Sequence, residues 1–152
     1  PPPYGAQFVD VTVDTETGEY ELNKLVFAAD CGVAINPALV EGQIEGGEHM
    51  SLEYATSGDL TFDEDGNPDV LGFRQYGMPR TTDHPEMETI LVETHEPTGP
   101  FGAKSIAELP TNGVPPALSN AIRDAVGVRL TELPFTAEDL MAALDDQSGA
   151  GK

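Results

Sequence analysis

Between Gly99 and Pro110 the chain reads Gly-Pro-Phe-Gly-Ala-Lys-Ser-Ile-Ala-Glu-Leu-Pro. Two prolines and two glycines bracket one lysine, one serine and one glutamate among apolar residues. Glycine permits positive φ and close backbone approach, whereas proline fixes φ and removes an amide donor. A strand-like run ends near Thr94 and a helix-like run opens near Pro115, so the stretch between them must be a rigid, tightly turned loop. Glu108, beside Ile106 and Leu109, is expected to be desolvated there. Desolvation raises a carboxylate's pKa and makes it a better base. The same glutamate could instead be a helix-entry cap for backbone amides.

The rest of the chain supplies regular elements around that loop. From Ala6 to Asp14, Val9, Val11 and Val13 alternate with Asp10 and Thr12, the pattern of a half-buried strand. Asp14 to Glu19 is a turn with Gly18 free to take positive φ, and Tyr20 to Ala29 returns as a second strand. Asn36-Pro37 reads as an N-cap followed by proline at the first helical position. The helix then runs to about Tyr54, with Val40, Ile44, Gly47, Ser51 and Tyr54 or Ala55 at helical spacing. Gly42, Gly46 and Gly47 each cost it roughly 1 kcal/mol. Either a ligand or another helix must approach that backbone closely.

Asp63 to Asp69 lies between Leu60-Thr61-Phe62 and Val70-Leu71 and resembles a calcium loop, but Pro68 and Arg74 stand where glycine and glutamate are needed. A solvated hairpin turn is expected instead. Tyr76 to Pro85 is irregular, and Met87 to Thr94 is a buried strand. Asn112 and Gly113 lead into a helix through Val126 that carries Ala117, Leu118, Ala121, Ile122 and Ala125 on its apolar face and stops at Gly127. Thr136-Ala137-Glu138-Asp139 opens a final helix bearing Leu140, Met141 and Leu144. The expected architecture is α+β, with β-hairpins and a mixed sheet packed with two or three helices. One domain covers residues 1–144, and residues 145–152 form a flexible tail.

Composition narrows the function. Seven Lys and Arg oppose 27 Asp and Glu, a formal net charge of −20 that repels phosphate backbones and excludes nucleic acid as a partner. High salt would screen such self-repulsion, so a halophilic source is expected. The single cysteine, Cys31, excludes an internal disulfide. No apolar run is long enough to cross a membrane and no signal peptide is visible, so the expected location is the cytoplasm. His49, His84 and His95 form no metal-ligand signature, and no metal-ligating residue is expected in this chain.

Two blocks carry a resemblance. One is Gly102-Ala103-Lys104-Ser105-Ile106-Ala107-Glu108, followed by Asn112 to Ala117 and by Asn120-Ala121-Ile122. The other is Asp30-Cys31-Gly32-Val33-Ala34-Ile35-Asn36-Pro37, followed by Val40 to Gly47. In order and separation they resemble the C-terminal end of the molybdopterin-binding large subunit of molybdenum hydroxylases, the xanthine dehydrogenase and aldehyde oxidase family. Glu96-Pro97-Thr98-Gly99-Pro100 before the Gly102 block is similar to the purine and nicotinate hydroxylase branch, which includes selenium-dependent xanthine dehydrogenases.

The resemblance implies a fold like that family's C-terminal molybdopterin-binding domain, and an oxidative hydroxylation of an N-heterocycle or aldehyde with water as the oxygen source. Glu108 matches the family's general base. Gln43 matches the glutamine that hydrogen-bonds the pterin, and Gly102, Ala103, Lys104 and Ser105 match the segment beside the cofactor. Lys104 is expected to pair with an anionic group or with Glu108. The implied cofactor is molybdenum-molybdopterin, as the pyranopterin or its dinucleotide, with iron–sulfur clusters and FAD on partner domains or subunits. The implied partners are the remaining molybdopterin-binding chain, an iron–sulfur subunit, a flavin subunit and a small-molecule substrate. The family's large subunit is far longer than 152 residues, so the chain reads as a fragment or split subunit, incomplete as an enzyme. Ala107, where many members have glycine, and Glu48-His49-Met50 depart from the pattern and motivate an alternative: a non-catalytic acidic assembly module.

Overall fold

A computed structural model describes residues 2–149. Strand β1 (Tyr4–Val13) and strand β2 (Tyr20–Asp30) pair antiparallel around the expected turn. Asp14 closes that turn, accepting from the Gly18 amide at 2.9 Å while its own amide donates to Glu19, and Gly18 takes φ 75°. A register shift between Asp10 and Val11 bends the ribbon.

Helix α1 (Pro37–Thr56) then crosses over, and β3 (Glu86–Leu91) pairs parallel with β2. The sheet is therefore mixed, in the order β1-β2-β3. Asn36 caps α1 as its spacing implied, its side chain accepting from the Leu39 amide.

β3 differs from the buried strand expected. It is an edge strand with Glu86, Glu88 and Ile90 facing outward, and Lys24 of β2 bridges Glu86 and Glu88 at 3.0 and 2.7 Å. The expected second hairpin is reduced to one bridge, Phe62 to Pro68. Its turn is held by the Asp63 carboxylate, which accepts from the amides of Asp65 and Asn67. Proline at Pro68 has no amide with which to extend a ladder. A short helix α2 (Phe73–Tyr76) and a 3₁₀ turn (Thr81–Asp83) interrupt the irregular stretch that follows.

Helix α3 (Val114–Val126) packs on β1 and ends at Gly127 with φ 83°. Helix α4 (Ala137–Gly149) opens with a capping box in which Thr136 and Asp139 exchange hydrogen bonds. It continues past the boundary expected at Leu144, so residues 145–149 are helical. Residues 150–152 of the expected tail lie outside the described residues.

The main core gathers Leu25, Ala55, Val114, Leu118, Ile122, Phe135 and Leu140 between sheet and helices. A second cluster of Phe27, Ala29 and Ile44 draws in Ile106 and Leu109 from the 99–110 loop. No helix among the described residues is long and apolar enough to cross a membrane.

Candidate functional site

The two sequence blocks meet where β2 ends. The Val33 amide donates to the Gly102 carbonyl at 2.9 Å and the Lys104 amide donates to the Cys31 carbonyl at 2.8 Å. Gly32 and Gly102 both take positive φ, 68° and 83°. A Cβ on Gly32 would collide with the Gly102 carbonyl, and one on Gly102 would collide with the His95 ring. Only glycine allows two loops to lie this close.

An ion pair pins the junction. Lys104 Nζ lies 2.7 Å from Asp30 Oδ2, with side-chain exposures of 8% and 16%. Asp30 also accepts from the Gly32 amide at 3.0 Å and the Thr94 hydroxyl at 2.7 Å. The Lys104 hydrogen bond first, then those of Gly32 and Thr94, hold the Asp30 carboxyl down to about 2. Lys104 further sits 5.3 Å from the centroid of the Tyr4 ring. Of the two partners considered for Lys104, the ammonium takes an anionic one, Asp30, rather than Glu108.

Glu108 is exposed, which corrects the desolvation expected from its neighbours. Ile106 and Leu109 turn inward to the Phe27 cluster, and that inward packing leaves the intervening glutamate at the surface. Its carbonyl accepts from Thr111 Oγ1 at 2.7 Å and Asn112 Nδ2 at 3.3 Å. No hydrogen bond or ion pair holds its carboxylate among the described residues.

Gln43, from the second turn of α1, reaches that loop: its Nε2 stands 3.5 Å from the Ala107 carbonyl. Between them opens a cleft of about 600 Å³ whose lining includes Gln43, Ala103, Lys104, Ser105 and Ala107. Gly102, the residue before Ala103, is buried and does not line the cleft. The rim is apolar, with Ile35 and Leu39 exposed by 62% and 70%. Burial also pushes the thiol of Cys31, on the cleft wall, above its ordinary pKa. A somewhat larger cleft of about 680 Å³, near Tyr20, His84 and Phe135, contains none of the expected site residues.

The helix glycines separate into two kinds. At Gly47 a Cβ would stand 2.8 Å from the Cβ of Pro110, so helix–loop packing accounts for it. At Gly42 and Gly46 a Cβ would meet nothing within 4 Å. These two, one turn apart, leave a single bare stripe on the outward surface of α1 beside Gln43.

Four polar side chains have surroundings that the sequence reading did not anticipate. Glu48 is fully buried, and burial pushes its carboxyl up to about 7 against the opposing hydrogen bond from Gln7. It falls at helical spacing with Ile44, Ser51 and Ala55, so its inward face was readable. Gln7 shares the parity of Val9, Val11 and Val13 and points inward with them. His49 Nδ1 and His84 Nε2 lie 2.7 Å apart, with the two rings stacked. Desolvation, then the His49 charge, lowers the pKa of His84. No spacing rule links positions so far apart in sequence. Among the described residues no three His, Cys, Asp or Glu side chains are grouped to hold a metal ion.

Comparison with known proteins gives a consistent direction. Residues 1–85 match the family described as the molybdopterin cofactor-binding domain. The chain is 42% identical over 144 residues to the probable hypoxanthine oxidase XdhD of Escherichia coli, covering 94% of this chain and 15% of that protein. It is 36% identical to the putative xanthine dehydrogenase molybdenum-binding subunit XdhA of the same species, covering 92% of this chain and 19% of the relative. Its fold superposes on the aldehyde oxidoreductase of Desulfovibrio gigas with a TM-score of 0.84 at 32% identity, covering 94% of this chain and 15% of that one. The chain thus spans less than a fifth of the length of each of these relatives.

Proposed function

This chain belongs to the molybdopterin cofactor-binding domain family of xanthine dehydrogenase-type molybdenum enzymes, and from that premise we propose that it forms one wall of a hydroxylase active site. The reaction class is oxidative hydroxylation of an N-heterocycle of purine or nicotinate type, or of an aldehyde. A substrate C–H becomes C–OH with oxygen from water, and two electrons and two protons leave. The observation that carries the reading is the convergence of Gln43 and the 103–107 segment on one cleft immediately before Glu108.

The residues fit a pterin. The Gln43 carboxamide offers a donor and an acceptor, and its one hydrogen bond among the described residues is long, at 3.5 Å. Gly42 and Gly46, outside the lining of the cleft itself, leave the neighbouring stripe of α1 bare beside Gln43. The backbone of residues 103–105, stiffened by the Asp30–Lys104 pair, gives the opposite wall. When bound, the molybdenum–pyranopterin group supplies the two-electron oxidant for the substrate carbon. Glu108 takes a proton onto its carboxylate from the water-derived hydroxyl that becomes the product oxygen. Its freedom from other hydrogen bonds leaves both oxygens available for that transfer. Partner domains or subunits carrying iron–sulfur clusters and FAD would supply the route out for the electrons. The exposed Ile35 and Leu39 at the cleft rim suit burial against the remaining molybdopterin-binding chain.

The test is isolation of the native complex with metal and pterin analysis. Stoichiometric molybdenum and pterin, with turnover of a purine, nicotinate or aldehyde, is the expected result. A stable complex containing neither would overturn the reading in favour of an assembly module.

A further inference from the structure

Behind the Glu108 loop lies a buried polar layer to which the proposed chemistry gives no role. Glu48 is completely buried on the inward face of α1, and its Oε2 has no hydrogen-bond partner among the described residues. Its Oε1 faces Gln7 Nε2 at 3.5 Å, and the same nitrogen donates to the Pro110 carbonyl at 2.9 Å. A carboxamide nitrogen carries two protons, so one group can serve both acceptors. Gln7 is held against Gly113, where a Cβ would collide with Gln7 Oε1. One turn further along α1, the Ser51 hydroxyl donates to the Thr111 carbonyl at 2.8 Å. The carbonyls two and three residues beyond Glu108 are thus gripped from behind by β1 and α1.

A buried carboxyl with an idle oxygen is costly, and an apolar side chain at this position would avoid that cost. What the carboxyl adds is direction. Ionised, or protonated on Oε2, it presents an acceptor oxygen to Gln7, so the carboxamide keeps its NH₂ end toward Glu48 and Pro110. A flipped amide would set its oxygen against two others.

We infer that Glu48 is a positioning residue, which acts through Gln7 to fix Pro110 and with it the loop that carries Glu108. The inference rests on the reading of Glu108 as the base for its consequence in turnover, but not for its consequence in loop order.

The two are separable by experiment in the assembled complex. Amide exchange across residues 105–113 is followed by mass spectrometry for the wild type, Glu48→Leu, Glu48→Gln and Gln7→Met, alongside kcat and KM at equal molybdenum content. Glu48→Leu removes both oxygens at similar volume, whereas Glu48→Gln keeps an acceptor for Gln7. The expected result is exchange faster on the order of 3- to 10-fold in Glu48→Leu and Gln7→Met, with protection retained in Glu48→Gln. The kcat should fall in the first two with KM little changed. Gln7 is only half-buried, so Gln7→Met carries the test if Glu48→Leu fails to assemble. Unchanged exchange and kcat in the assembled variants overturn the inference. A loosened loop with normal turnover overturns the positioning of Glu108 if Glu108→Gln is inactive. If Glu108→Gln also turns over normally, the loop anchor stands and the assignment of the base falls.

Discussion

Lys104 Nζ and Asp30 Oδ2 lie 2.7 Å apart, joining residues 74 positions apart in sequence. This pair fastens the end of β2 to the segment that leads to Glu108. Both side chains are largely withdrawn from water, so neither charge is cheaply left alone.

Lys104→Met is therefore expected to destabilise the chain by about 2–3 kcal/mol at neutral pH, less than for a pair without other support, because Gly32 and Thr94 still serve Asp30. Asp30 has its pKa lowered on folding, from 3.8 to about 2. Its contribution is thus present above 3.8 and lost as pH falls through about 2. Denaturation midpoints of wild type and Lys104→Met, measured from neutral to acid pH, should converge in that window. A gap that stays constant into acid would contradict the pairing.

Glu48 has the opposite sign. Its folded pKa is raised from 4.5 to about 7, so its stabilising balance is complete below 4.5 and lost as pH rises through about 7. Glu48→Gln, which cannot ionise, should be more stable than wild type above neutral pH, by on the order of 3 kcal/mol at 1.4 kcal/mol per unit. The two proteins should differ little in acid. Urea titrations at acid and alkaline pH provide the measurement.

Glu108→Gln in the assembled complex should keep its molybdenum and lose turnover by the 10²–10⁴-fold typical of a missing general base. The amide is nearly isosteric, and the carbonyl bonds to Thr111 and Asn112 do not involve the side chain. Turnover near the wild-type rate at equal metal content would leave Glu108 as a surface residue of the loop.

The helix glycines predict a divergence between stability and cofactor retention. Gly42→Ala meets no neighbour and should stabilise α1 by up to about 1 kcal/mol, yet weaken pterin retention by narrowing the bare surface. Gln43→Ala should likewise deplete pterin before it alters turnover at the sites still filled. Gly47→Ala forces a Cβ to 2.8 Å from Pro110 and should destabilise by about 1–3 kcal/mol. Thermal melting together with pterin content per chain separates the three. Full pterin content in both Gly42→Ala and Gln43→Ala would remove this face of α1 from the cofactor site.

Local pattern by itself determined much of this protein. Alternation from Val9 to Val13, the turn at Gly18, the Asn36-Pro37 helix start and the Thr136–Asp139 box are each written within a few residues and formed where expected. The two motif blocks, in their order and separation, were enough to carry the family resemblance. Only the tertiary structure decided which charge Lys104 meets, that Ile106 and Leu109 turn inward and leave Glu108 exposed, and that Gln7 joins Glu48 to Pro110. It also decided which helix glycine is packed and which two are bare. The division has a physical cause. Backbone periodicity and caps are satisfied by neighbours along the chain, whereas a buried charge or amide is satisfied by whichever group packing brings alongside it, and that group can lie anywhere in the sequence.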